Sequence, residues 1–254
     1  MIDVHCHLDD TQFANDLDAV IERANAAGVD TIITAGADVA TSRAAVALAE
    51  NYPNVFVVVG IHTHAAHTFD ENSFAEICEL ATHDQVVGIG EIGLDFYWQE
   101  NPAREIQEQN FVAHLELAAE LNKPVVIHDR DAHAELMAIL AQRREPRGIM
   151  HCFSGDLAMA EQAIALGYLI SFAGNVTFKN AQRLQDIARV LPLDKMVIET
   201  DAPYLSPLRG RRNESANVVR VAEKIAQIKN MELVSVAQTT AQNSRTLFGL
   251  ATAR

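Results

Sequence analysis

The segment Ile2–Asp10, IDVHCHLDD, decides which of two parallel α/β folds the chain adopts. Its first residues form a short apolar strand, and the strand ends directly in histidines and aspartates. A doubly wound sheet usually places a glycine-rich turn of the form G-x-G-x-x-G after its first strand, and no such turn follows here. A (β/α)8 barrel instead carries its functional side chains at the carboxyl ends of its strands. The segment therefore favours the barrel.

The rest of the chain repeats one pattern, a short apolar run followed by an Ala-, Leu- and Glu-rich stretch. Runs that are apolar throughout are typical of strands buried on both faces of a parallel sheet. Strands are predicted at Ile2–Cys6, Thr31–Ala35, Val55–Ile61, Val86–Ile92, Val125–His128, Gly148–His151, Tyr168–Phe172 and Met196–Thr200. Helices are predicted at Phe13–Ala27, Ser42–Asn51, Phe74–Thr82, Ala103–Asn122, Ala132–Arg144, Leu157–Leu166, Ala181–Leu191, Val218–Lys229 and Leu233–Phe248. This repeat over 254 residues predicts an α/β protein, a TIM (β/α)8 barrel that forms a single domain over residues 1–254.

Composition and charge exclude several classes of protein. Apolar residues make up 49% and charged residues 21%, which is ordinary for a globular domain and excludes disordered, collagen-like and coiled-coil chains. The net charge of −14 argues against a basic surface for nucleic acid or membranes, although metal ions in a site can still attract an acidic substrate. There is no secretory signal, no apolar run long enough for a membrane span, and too few cysteines for a disulfide framework. We therefore expect a cytoplasmic protein without membrane contact.

Polar residues interrupt the apolar pattern at one place in each unit, the carboxyl end of the strand. Because these ends lie on one face of a parallel barrel, residues far apart in sequence are expected to converge there. His5 and His7 are two positions apart on a strand, so their side chains point the same way. The residues at such positions are His5, His7, His62, His64, Glu91, His128, His151 and Asp201.

This set of side chains indicates metal chemistry. Imidazole and carboxylate groups suit zinc, manganese and other divalent ions of intermediate softness. Six of these residues, four histidines and the two carboxylates, are already more ligands than one tetrahedral site needs. A carboxylate shared between two ions about 3.5–4 Å apart would account for the surplus, and this is the arrangement used in phosphate displacement. Asp201 ends its strand on this face, where it can accept a proton as well as bind an ion.

Several motifs resemble those of one family. They are IDVHCHLD, VGIHTH, VVGIGEIGLDFY, PVVIHDRDAH, IMHCFSG and VIETDAPYLSP followed by GRRNE, and they extend in order from Ile2 to Glu214. On these motifs the chain resembles the TatD family of metal-dependent deoxyribonucleases, within the amidohydrolase-like barrels. Thr63 and Ser215 stand where the family often has proline, which affects the substrate side rather than the ligands.

The resemblance implies roles for the strand-end residues. One divalent cation would be held by His5, His7, Glu91 and Asp201. Glu91 would bridge to a second cation held with His128 and His151, and His62 would lie beside the scissile phosphate. The implied activity is hydrolysis of phosphodiester bonds in DNA, as a 3′→5′ exonuclease on single strands. The catalytic residues are then Asp201, Glu91 and His62, and the two cations are zinc, magnesium or manganese.

Other residues are interpreted from their positions beside these ligands. Asp95 and Glu199 are expected to orient imidazoles. Cys6 and Cys152 flank ligands and should point away from the site by alternation. Arg130 either contacts a phosphate or pairs with a carboxylate of the barrel. The basic segment Arg209–Asn213 follows the last strand on the same face. The predicted substrate contacts are His62, His64, Arg130, Arg211, Arg212 and Asn213.

Three alternatives to a nuclease remain open. A barrel hydrolase can act on a small ester, amide or lactone, although such enzymes often bridge their metals with a carboxylated lysine where this chain has Glu91. An esterase that acts on aminoacyl-tRNA would use the same metals. A metal-binding scaffold without catalysis would not need a proton acceptor such as Asp201. We expect DNA as the partner, no obligate protein partner and a monomeric chain.

Overall fold

Eight parallel strands alternate with helices along the chain. A computed structural model describes residues 1–143 and 146–251. The strands are β1 (Ile2–Cys6), β2 (Thr31–Ala35), β3 (Val55–Val59), β4 (Val86–Asp95), β5 (Val125–Arg130), β6 (Gly148–Met150), β7 (Leu169–Phe172) and β8 (Met196–Ile198). The helices are α1 (Leu17–Ala26), α2 (Val39–Ala49), α3 (Glu71–Leu80), α4 (Arg104–Glu120), α5 (His133–Ala141), α6 (Leu157–Ala165), α7 (Gln182–Val190), α8 (Val218–Lys229) and α9 (Leu233–Phe248).

The predicted TIM barrel is confirmed. The strands form one sheet in the order β1 to β8, and each strand pairs in parallel with the next. The bounds of β1, β2, α8 and α9 agree with the sequence prediction, and the other elements differ by a few residues at their ends. Arg144, the predicted end of the fifth helix, and residues 252–254 of the predicted domain lie outside the described residues. Among the residues described, no helix is long and apolar enough to cross a membrane.

The sheet closes where the end of β8 meets β1. The backbone N–H of Asp201 donates to the carbonyl of His5 (3.0 Å), and that of His7 donates to the carbonyl of Ala202 (2.7 Å). Deeper in the barrel, the buried Asp3 carboxylate accepts from the backbone N–H and the hydroxyl of Thr200, at 2.8 and 2.7 Å. Asp3 therefore joins the first strand to the segment that follows the last one.

A register shift in β1 turns two histidines toward the interior. Ile2 and Val4 belong to the apolar cluster that fills the barrel, together with alternate residues of the other strands. Strict alternation would then place His5 and His7 on the outer face. The pairing with β2 shifts between Asp3 and Cys6, as in a β-bulge, and such shifts re-aim side chains. The two imidazoles consequently face the mouth of the barrel.

Replacement of Asp3 by alanine should weaken the closure of the barrel. The variant leaves the buried N–H and hydroxyl of Thr200 without their acceptor, which costs about 1–3 kcal/mol per unsatisfied group. We expect urea denaturation to show a lower free energy of unfolding by at least this amount. Asp3→Asn keeps one acceptor oxygen and should lose less. An Asp3→Ala chain within about 0.5 kcal/mol of the parent, the range typical of neutral surface changes, would contradict this role.

Candidate metal centre

The six predicted ligands meet at the carboxyl ends of the strands. Glu91 lies at the centre and is only 4% exposed. It is carried by β4, whose backbone approaches β5 closely. At Gly93, with φ of 151°, a Cβ would lie 1.9 Å from the carbonyl oxygen of His128, so this position requires glycine. The close approach brings Glu91 and His128 of neighbouring strands together.

The two carboxylate oxygens of Glu91 face different groups of imidazoles. Oε2 lies 3.4 Å from Nε2 of His5 and 3.8 Å from Nε2 of His7. The neighbours of Oε1 are His128 Nδ1 at 2.9 Å, His62 Nε2 at 3.4 Å and His151 Nε2 at 3.7 Å. One carboxylate thus stands between two sets of nitrogen atoms.

Asp201 lies on the same side as the first of these sets. Its Oδ1 is 3.6 Å from Nε2 of His7 and 3.8 Å from Nε2 of both His5 and His151. The backbone of Asp201 has a φ of 57°, in the left-handed region that non-glycine residues rarely adopt. Such conformations concentrate at functional sites, where the surrounding structure holds them.

The spacing of these atoms fits divalent cations. Ligands at about 2.0–2.1 Å from a tetrahedral zinc ion stand roughly 3.3–3.4 Å from one another. Nε2 of His5 is 3.2 Å from Nε2 of His7, and each lies 3.4–3.8 Å from an oxygen of Glu91 or Asp201. Among the described residues, four groups could hold an ion: His5, His7 and Glu91; His5, His151 and Asp201; His62, Glu91 and His128; and His151, Cys152 and Glu199.

The charges of the site also favour the binding of cations. Burial opposes the charged form of every imidazole here, yet the nearby carboxylates raise the pKa of His7 and His128 to about 9 and that of His151 to about 10. Burial would raise the pKa of Glu91, but the surrounding histidines hold it well below its usual range. Protons on the imidazoles thus balance the buried carboxylates. Divalent cations can take the place of those protons, since metal binding to histidine releases them.

Two further carboxylates contact the ring nitrogens of His128 and His151 that do not face Glu91. Asp95 Oδ2 lies 3.2 Å from Nε2 of His128, on the side of the ring opposite to Glu91. Glu199 Oε1 lies 2.8 Å from Nδ1 of His151, and its other oxygen accepts from the hydroxyl of Ser171. Carboxylates in this position fix the orientation of metal-binding histidines. Both residues therefore lie where the sequence interpretation expects them.

His62 lies inside the site, and its neighbour His64 lies at the rim. The ring of His62 is 4.5 Å from that of His128, and the ring of His64 is 4.7 Å from that of His62. Burial outweighs the Glu91 charge and lowers the pKa of His62 to about 4. At neutral pH His62 is therefore a neutral imidazole. Thr63 between them is fully buried at the start of a 3-10 helix, Thr63–Thr68.

Two predicted substrate contacts are engaged within the protein instead. Asn213 is fully buried and donates to the carbonyls of Thr200 and Tyr204, at 2.8 and 2.7 Å. Arg212 forms a two-pronged pair with Asp16, with both distances at 2.8 Å. Both side chains anchor the loop after β8. The prediction that Asn213 contacts substrate is corrected because its side chain is fully buried, whereas that for the partly exposed Arg212 stays a prediction. Arg211 of the same loop is exposed, and its predicted role stays a prediction.

Arg130 and two cysteines lie near the same face of the barrel. The Arg130 guanidinium lies over the ring of Tyr97, 4.0 Å from its centroid. Within residues 1–143 and 146–251 no carboxylate forms an ion pair with Arg130, so the phosphate alternative stays open. Cys6 is buried as expected, with Sγ 3.6 Å from the Ile33 carbonyl. Cys152 is closer to the site than alternation predicts, because its φ of 41° departs from strand geometry.

The sequence interpretation did not single out several residues that shape the site. Asp3 closes the barrel behind the ligands, and its position inside an apolar run is the signal that could have revealed it. Tyr97 and Trp98 are exposed beside Asp95. The only sequence signal for a role of these two residues is that they closely follow Asp95 in the chain. Ser215, one of the two departures from the family pattern, is buried against Cys6, with 3.7 Å between Oγ and Sγ.

Comparison with known proteins places the chain in a family. A family model described as TatD related DNase matches residues 2–249. The chain is 39% identical over 252 residues to an uncharacterized metal-dependent hydrolase, YabD, of Bacillus subtilis, with 98% of each chain covered. It is 36% identical over 260 residues to the 3'-5' ssDNA/RNA exonuclease TatD of Escherichia coli, covering 99% of this chain and 100% of that one.

A solved structure agrees with these matches. The crystal structure of YJJV, a TatD homolog from Escherichia coli, superposes with a TM-score of 0.94 at 32% sequence identity, covering 99% of this chain and 98% of that one. The sequence motifs, the barrel and the convergence of histidines and carboxylates at its mouth all agree with this likeness. The chain belongs to the family of TatD related DNases.

Proposed function

We propose that the protein is a divalent-metal-dependent hydrolase that cleaves phosphodiester bonds of DNA, as a 3′→5′ exonuclease on single strands. The observation that carries this proposal is the position of Glu91, whose two oxygens face different imidazoles. His5, His7, Glu91 and Asp201 would hold one cation. Glu91, His128 and His151 would hold the other. Zinc, magnesium and manganese all suit these ligands.

The protein residues have defined tasks in this reaction. When bound, two divalent cations supply positive charge to the scissile phosphate and lower the pKa of water. Burial would raise the pKa of Asp201, but the neighbouring His7 and the charge of His151 lower it, so the carboxylate stays ionised. An ionised Asp201 at the rim can accept the proton of the attacking water. Asp95 and Glu199 hold His128 and His151 in their orientations.

His62→Ala tests whether the chemistry includes His62. We expect the variant to bind both cations at normal stoichiometry and to cleave DNA more slowly, by about 10²-fold, because a positioned neutral imidazole is lost beside the phosphate. Single-turnover cleavage together with metal analysis by native mass spectrometry would check this. Loss of an ion would instead make His62 a ligand, as its contact with Glu91 Oε1 permits. Cleavage at the parental rate would leave His62 without either role.

The substrate class is tested by assays in parallel. End-labelled single-stranded DNA, a small lactone and an aminoacyl-tRNA are incubated with metal-reconstituted protein. We expect shortening of the DNA from its 3′ end and no comparable turnover of the other two. Labelling each end in turn identifies the direction. Preferred hydrolysis of the lactone or of the aminoacyl ester would overturn the nuclease proposal and leave the metal centre in place.

The proposal extends to where and how the protein acts. With DNA as its substrate, the protein would act in the cytoplasm. We propose a monomer that needs no protein partner. Size-exclusion chromatography with light scattering would measure the mass, and cleavage at the dilution where only monomers remain would support this.

A further inference from the structure

Two aromatic side chains stand exposed directly after β4. Tyr97 is 49% exposed and Trp98 is 47% exposed. Their rings meet edge to face, with 4.8 Å between centroids and 88° between planes. About half of each side chain is therefore open to solvent, beside the mouth of the barrel rather than in its core.

A positive charge lies over the same two rings. The guanidinium carbon of Arg130 is 4.0 Å from the ring centroid of Tyr97 and 5.2 Å from that of Trp98. Stacking on the rings orders the arginine, and no carboxylate of the described residues forms an ion pair with it. Tyr97, Trp98 and Arg130 together form a surface that we call the aromatic patch. Aromatic faces beside a positive charge are what proteins use to bind single-stranded nucleic acid.

One carboxylate connects the aromatic patch with the metal centre. Asp95 Oδ1 accepts from the backbone N–H groups of Tyr97 (2.9 Å) and Trp98 (3.4 Å). Its other oxygen, Oδ2, lies 3.2 Å from Nε2 of His128. The aromatic patch is thus held one side chain away from a predicted ligand.

We infer that the aromatic patch is a nucleobase subsite, on which a base next to the scissile phosphate of a single strand stacks. The inference rests on the proposed function and adds the group that recognises the substrate. The acidic chain, with a net charge of −14, gains less from long-range attraction of phosphates than a basic nuclease does. Stacking supplies affinity that does not depend on charge or on base sequence, and it requires bases that are free of a duplex.

Kinetics on substrates with and without bases test the subsite. For an oligonucleotide that has bases, Trp98→Ala should raise KM by about 5- to 150-fold, the range for loss of one stacked base, and leave kcat within about twofold. For an oligonucleotide with abasic residues at its 3′ end, the variant and the parent should have the same KM. Trp98→Phe keeps an aromatic face and should restore most of the affinity. Val234→Ala, an exposed apolar position on α9, is the matched control and should change neither constant.

Fluorescence gives a readout that is independent of cleavage. Trp98 is the only tryptophan of the chain, so intrinsic tryptophan emission reports on this position alone. A cleavage-resistant phosphorothioate oligonucleotide should quench the emission, and the abasic version of equal length should not. Equal quenching by both oligonucleotides would overturn the subsite. So would a Trp98→Ala variant that has the parental KM on the base-containing strand. In either case, cleavage by the parent would still support the proposed function. A parent that quenches but cleaves no DNA would instead overturn the proposed function.

Discussion

Asp201→Asn should retain the fold and lose about 10²- to 10⁴-fold in kcat, the usual cost of removing a general base. The amide has nearly the same shape, but it binds cations more weakly and accepts no proton. In the parent, the Asp201 carboxylate lies 3.6–3.8 Å from three imidazole nitrogens, so the loss of its charge should also weaken cation binding. Single-turnover cleavage of end-labelled DNA at saturating metal measures the effect.

The control for this variant is Asp194→Asn. Asp194 lies just before β8, at the opposite end of the strand, and its side chain is 65% exposed. We expect this substitution to leave cleavage unchanged. Circular dichroism and thermal denaturation of both variants would verify that the barrel is intact. An Asp201→Asn protein that keeps more than about a tenth of the parental rate, well above the usual range for a lost general base, would show that Asp201 has no central role.

Glu91→Gln should have the largest effect of all, a loss of more than about 10⁴-fold, beyond the range for one general base. Glu91 is the residue whose two oxygens face both sets of imidazoles, so its neutralisation weakens both cation sites together. The expected result is a folded chain that no longer retains two cations after gel filtration.

Glu116→Gln is the matched control for the bridging carboxylate. Glu116 is exposed on α4, so the same chemical change there should alter neither metal content nor rate. Retention of both cations by Glu91→Gln would contradict a bridging role. Slow cleavage with a full metal content would then assign Glu91 to catalysis rather than to metal binding.

The strands and the convergence of ligands were predictable because they follow from local patterns. Apolar runs such as Ile2–Cys6 and Thr31–Ala35 predict buried parallel strands, and their observed bounds agree. The convergence of the His and carboxylate residues then follows, because the carboxyl ends of all the strands lie on one face of the barrel. The orienting roles of Asp95 and Glu199 follow from their positions beside the ligands.

Other features depend on contacts that no local pattern contains. The inward direction of His5 requires the register shift between β1 and β2, which is a property of the pair of strands. The engagement of Arg212 arises from Asp16, a residue 196 positions away in sequence. Asn213 appeared free for substrate in the sequence, but packing of the loop after β8 buries it. Burial also makes His62 neutral, whereas an unperturbed histidine would titrate near neutral pH.

We propose that two divalent cations carry the activity and that Glu91 would be a ligand of both. The most direct test starts from the parent chain from which all metal has been removed and verified absent. Manganese is then titrated back. Native mass spectrometry counts the bound ions, and a parallel assay follows DNA cleavage. We expect no cleavage by the metal-free chain and full cleavage only when two ions are bound. Full activity in the verified metal-free protein, or full activity with a single ion, would contradict it.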